Sequence, residues 1–173
     1  MDFPPILAGE ARTWIQHACY FLLLLACLRK GGGPEKLSAI VLAGMIVVDQ
    51  FYHFVGGHGG LLAGVDRFHA GLDTIACALL IAIALKANRS YTLWLAGFQI
   101  VAVMAHIARF VTPDILPIAY YVMYVGPSWL QLVTLAIGLM AHIQRETQHG
   151  SYRSWRGSSP RSPAMAPGNW PNG

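Results

Sequence analysis

The chain has 173 residues, of which 12% are charged and 55% fall in the apolar AVILMFWYC set, with a formal net charge of +4. A soluble domain of this size needs more than 20 ionised side chains to cover its surface, and so apolar a composition excludes disorder for most of the length. The three cysteines are scattered through apolar runs, which excludes a disulfide scaffold, and the basic balance marks membrane topology instead of nucleic-acid binding.

Five segments meet the bilayer requirement of about 20 predominantly apolar residues. The first is expected over Thr13–Leu28, ending at the Gly31-Gly32-Gly33-Pro34 break. The second covers Leu37–Val55 and stops at a glycine-rich turn around His58. The third covers Ala63–Leu85 and is the least apolar; the fourth covers Tyr91–Phe110, followed by Pro113 and Pro117. The fifth covers Ile118–Ile143, with a kink expected at Gly126-Pro127. The expected fold is all-α, an integral membrane bundle of five transmembrane helices at residues 1–143. Residues 144–173, rich in Ser, Pro, Gly and Arg, are expected to be a disordered basic cytoplasmic tail.

Lysine and arginine set the orientation. With the N-terminus outside, Arg29, Lys30, Lys36, Lys86, Arg89, Arg145, Arg153, Arg156 and Arg161 gather inside, while Arg12, Arg67 and Arg109 stay outside. The positive-inside rule therefore predicts N-out and C-in. Asp2 and Glu10 stand where a secretory signal carries basic residues, so the first helix is expected to be retained.

The informative residues are the polar ones within the spans. Asp49 and His53 are one turn apart on the second span. Asp66, His69 and Asp73 lie at i, i+3 and i+7 on the third, within an arc of about 60°. Gln99 and His106 share a face of the fourth, with Arg109 one turn further out, and Glu10 and His17 are seven apart on the first. Asp73 lies about 18 Å from the inner end of its span at 1.5 Å per residue. A carboxylate at such depth costs about 2.5–3.5 kcal/mol unless it gains a partner, a proton, a metal or water.

Three chemistries fit this pattern. A divalent metal site would take ligands from Asp49, His53, Asp66, His69, Asp73 and His106; zinc, iron and copper all suit such donors. An internal ion-pair network, in an accessory or structural membrane subunit, would set Arg67 and Arg109 against the aspartates. Histidine pairs drawn from His53, His69 and His106 could also ligate a non-covalent haem, although aspartates fit a haem slot less well. The expected function is an outward-facing metal site for metal-dependent chemistry or metal handling. The expected partners are the lipid bilayer and other membrane subunits, with no nucleic acid. Tyr121, Tyr124, Ser128 and Gln131 form a polar stripe on the fifth span, of the kind that joins helices.

The stretch Ala84-Leu85-Lys86-Ala87-Asn88-Arg89-Ser90-Tyr91, with Gln99, His106 and the tail Tyr152-Arg153-Ser154-Trp155-Arg156, resembles small multi-pass membrane proteins of bacteria. The resemblance implies the bacterial inner membrane and no particular activity. The Asp-x-x-x-His of Asp49 and His53 and the Asp-x-x-His of Asp66 and His69 also resemble the copper ligands of membrane-bound methane and ammonia monooxygenases. In those enzymes a further histidine follows, whereas here the next in-span histidine, His69, lies farther along.

Overall fold

A computed structural model of the chain describes residues 10–56, 67–112, 117–150 and 154–156. Five helices account for nearly all of them: α1 (Glu10–Lys30), α2 (Gly33–Gly56), α3 (Arg67–Lys86), α4 (Tyr91–Val111) and α5 (Pro117–His149). Each contains a segment long and apolar enough to cross a membrane. At 1.5 Å per residue, the 20 residues of α3 rise about 30 Å, the thickness of a bilayer's hydrocarbon core. Leu22, Phe51, Ile75, Leu93 and Ile137, all exposed, present the apolar surface that such a solvent requires.

Local chemistry sets the helix boundaries. The Gly31 amide closes the last turn of α1 on the Cys27 carbonyl, and Pro34 stands in the first turn of α2, where its missing N–H costs nothing. The Ala87–Ser90 connection is tight, with Thr92 Oγ1 donating to the Arg89 carbonyl at 2.7 Å. Pro127 lies inside α5, which continues as one helix through it. α5 also runs six residues past the expected end at Ile143, carried by exposed polar residues, and closes at Gly150 with φ 72°. That left-handed conformation suits glycine and lets its amide bond back to the Glu146 carbonyl at 2.9 Å.

α4 packs closely between α3 and α5, and α1 and α2 lie together across them. Leu80, Leu95 and Leu135, each almost wholly buried, form an apolar layer in the half of the bundle nearer the Ala87–Ser90 connection. At one end, beyond this layer, Glu35 is fully buried and its Oε1 meets Arg89 Nε at 3.4 Å. The other end carries Asp49, Asp73, His17, His53, His69 and His106.

Ser154–Arg156 also differ from the expected disordered tail. Trp155 forms an antiparallel bridge with Ala87, Ser154 accepts from the Asn88 amide at 3.1 Å, and the Arg156 amide donates to Lys86 at 2.8 Å. The indole packs on the core and lies so close over Gly33 that a Cβ there would overlap it. Since Trp155 is only partly buried, Trp155→Ala is expected to cost about 2 kcal/mol, below the 3–5 of a fully buried Trp. Gly33→Ala should act in the same direction. Thermal unfolding of the detergent-solubilised protein measures both, and an unchanged midpoint would show that the strap adds nothing to stability.

Candidate functional site

On α2, Asp49 and His53 project from one face a turn apart, and the first turn of α3 brings His69 against them. His69 Nε2 lies 2.6 Å from Asp49 Oδ1, a charge-assisted hydrogen bond across the helix pair. His53 Nε2 lies 3.7 Å from the same oxygen, beyond hydrogen-bond length but within ion-pair range. The two imidazoles face each other at 5.3 Å between centroids, tilted by 36°. One donor atom from each of Asp49, His53 and His69 falls within a group no wider than 4.8 Å. Tetrahedral ligands about 2.0–2.2 Å from a metal stand about 3.3–3.6 Å apart, so an ion here would have to widen the 2.6 Å contact between His69 and Asp49.

Aromatic rings hold the rim. Tyr52 and Phe68 stack at 3.7 Å and 9°, and His69 stands nearly perpendicular to both, at 6.0 and 5.6 Å. This packing restricts the His69 ring, a role for Tyr52 and Phe68 that their spacing along the chain does not show. Two aromatics flanking the site at the ends of adjacent helices were the available signal.

One turn deeper on α3, Asp73 forms a second centre. Its Oδ2 lies 2.8 Å from His106 Nε2, and its Oδ1 accepts from Gln99 Nε2 at 2.8 Å. Gln131 Nε2 donates both to Gln99 Oε1 at 2.8 Å and to the Leu95 carbonyl at 3.3 Å. The backbone carbonyl requires a donor from Gln131, so Gln99 must turn its oxygen to Gln131 and its nitrogen to Asp73. A chain of amides across α3, α4 and α5 thus supplies the buried carboxylate with hydrogen bonds. Ser128 acts similarly one turn away, accepting from Gln16 Nε2 at 2.6 Å while its carbonyl accepts from the Tyr20 hydroxyl at 2.5 Å. The Ser128 and Gln131 part of the α5 stripe therefore does join helices; the Tyr121 and Tyr124 side chains lie outside the described residues.

The six expected ligands thus resolve into groups. Asp49, His53 and His69 bring one donor atom each within 4.8 Å of one another; Asp73 and His106 pair with each other; Asp66 lies outside the described residues. The carboxylates of Asp49 and Asp73 are held by His69 and His106, a different set of partners from the expected Arg67 and Arg109. Arg67 is exposed at the first residue of α3.

Both groups border one cavity of about 470 Å³, to which all five helices contribute. Asp49, His53 and His69 lie on one wall, Asp73 and Gln99 deeper, and Arg12, His17 and Tyr20 on the α1 side, with Leu42, Met45 and Leu72 between them. A volume of this order accommodates a small molecule beside the polar cluster. Comparison with known protein families, curated proteins and solved structures found no match.

Proposed function

We propose that Asp49, His53 and His69 bind a divalent metal at the wall of a cavity that opens to the outer face of a bacterial inner membrane, with the N-terminus outside. The convergence of two imidazoles and a carboxylate within 4.8 Å carries this reading. Two nitrogens and one oxygen suit zinc, iron(II) or copper, and a three-ligand set leaves positions for water or substrate. A bound metal would lower the pKa of its water or polarise an oxygen, the chemistry that metal-dependent enzymes share. Metal handling without turnover uses the same donors. A carboxylate in reach of both imidazoles suits a bare cation, whose charge it would balance, better than the apolar slot a haem would need.

The orientation rests on charge. Arg29, Lys30, Lys36, Lys86, Arg89 and Arg145 belong to the end of the bundle opposite the cluster, which supports an outer position for the cluster under the positive-inside rule.

The 2.6 Å bond between Asp49 and His69 favours a second reading, in which the cluster only ties α2 to α3 within a structural subunit. Metal analysis separates the two. Protein purified without chelators should carry one zinc, iron or copper per chain. His69→Ala should weaken binding by more than about 100-fold, above the 10–100-fold typical of losing an outer-shell partner. Metal-free wild type that takes up none of the three ions would overturn the metal reading and leave the structural one.

A further inference from the structure

We infer that His17 on α1 is a fourth ligand of the same metal, closing a shell of three imidazoles and one carboxylate; the inference rests on the metal reading of Asp49, His53 and His69. His17 borders the same cavity as those three residues. Its position follows from how α1 is keyed to α5. Gln16 and Tyr20 both bond to Ser128, which fixes the rotation of α1 about its axis. Thr13, Gln16, His17 and Tyr20 then occupy one arc of about 100°, and all four face the cavity.

Depth agrees. His17 lies seven residues into α1, which starts at Glu10, and Asp49 lies seven residues before the end of α2 at Gly56. The two helices are antiparallel neighbours joined at their far ends, and counted from that joint His17 and Asp49 lie within about one helical turn of each other in height. Trp14 meets the His17 imidazole edge-on at 6.1 Å and 76°, limiting its swing.

His17 lies outside the tight group of three, so binding would draw α1 toward α2 and α3. Metals of the zinc and copper kind prefer imidazole, whereas magnesium and calcium prefer oxygen ligands. A site with three imidazoles would therefore select the former. Four protein ligands also fill a tetrahedral shell, and a filled shell holds an ion until one ligand leaves. His17, on a helix different from those of the other three ligands, is the one whose departure would open a position toward the cavity.

The test loads the purified full-length protein with zinc alone and counts imidazoles in the metal shell by X-ray absorption. The expected count is three in wild type and two in His17→Ala, with zinc affinity at least about 10-fold weaker in the variant. The unfolding midpoint of the metal-free variant should match wild type, which separates ligation from folding. A wild-type shell with two imidazoles, or equal affinity in His17→Ala, would overturn the role of His17 while leaving the three-residue site intact. Wild type that binds no zinc, iron or copper would instead overturn the site as a whole.

Discussion

Replacing Arg89 with alanine is expected to destabilise the protein by about 3–5 kcal/mol, the range for breaking a buried ion pair from one side. Glu35 is 0% exposed and Arg89 8%, so neither charge is shielded by solvent. The guanidinium also donates to the Asn88 carbonyl at 3.3 Å and to Ser154 Oγ at 3.5 Å, tying the α3–α4 connection and the C-terminal strap to α2. Without it, the Glu35 carboxylate stays in the interior stripped of its ion-pair partner. Glu35→Gln in the Arg89→Ala background removes that charge and should recover more than half of the loss. Arg89→Lys should fall between, since an ammonium lacks the planar fork that reaches several acceptors at once. Unfolding in detergent, followed by tryptophan fluorescence, provides the comparison. An Arg89→Ala protein within about 1 kcal/mol of wild type would show that the pair is not needed.

The helices were readable because membrane solvation is a composition rule. Runs of apolar residues broken by glycine and proline place all five, and only boundaries moved. α5 overran its expected end because residues 144–149 are polar, and the apolar period was the criterion for a span. The helix signal there was different: an i,i+4 contact between His142 and Glu146 at 3.6 Å, and Gly150 as a terminator. The strap was missed for a related reason. Composition gave a polar tail, but Trp155 is a single large apolar side chain among arginines, and one such residue is enough to dock a segment.

The site was legible along each helix and not between helices. Spacing put Asp49 beside His53 and His69 above Asp73, because i,i+4 neighbours follow from 3.6 residues per turn. It could not show that Asp49 binds His69 more closely than its own helical neighbour, at 2.6 against 3.7 Å. In the ion-pair reading, charge alone makes Arg67 and Arg109 the partners of the aspartates. Depth decided differently: His69 and His106 stand level with the carboxylates and are short enough to stay there, whereas Arg67 opens α3 at its exposed first residue. The contribution of Gln99 was half visible, as a polar residue on the His106 face. Its direction, set by Gln131 from another helix, was not.

The Asp73 centre yields the second large effect, and it also separates ligand from scaffold. Asp73→Leu is expected to cost about 3 kcal/mol, because it strands the Gln99 amide and leaves His106 facing an apolar group in the interior. Asp73→Asn should cost under about 1.5 kcal/mol, the scale of one altered hydrogen bond. Its carbonyl oxygen can still accept from Gln99, and its amide nitrogen can donate to His106 Nε2 once the imidazole proton moves to Nδ1. Neutral imidazole allows that exchange of tautomers, so the network can be rewired without a buried charge. Zinc affinity then supplies the second axis. If the metal is held at Asp49, His53 and His69, Asp73→Asn should bind zinc within about threefold of wild type, since outer-shell losses large enough to matter begin near 10-fold. A loss comparable to that of His69→Ala would instead make Asp73 a ligand and extend the site one turn down α3. A large stability loss in Asp73→Asn, equal to that in Asp73→Leu, would show that the charge of Asp73, and not only its hydrogen bonds, holds α3 to α4.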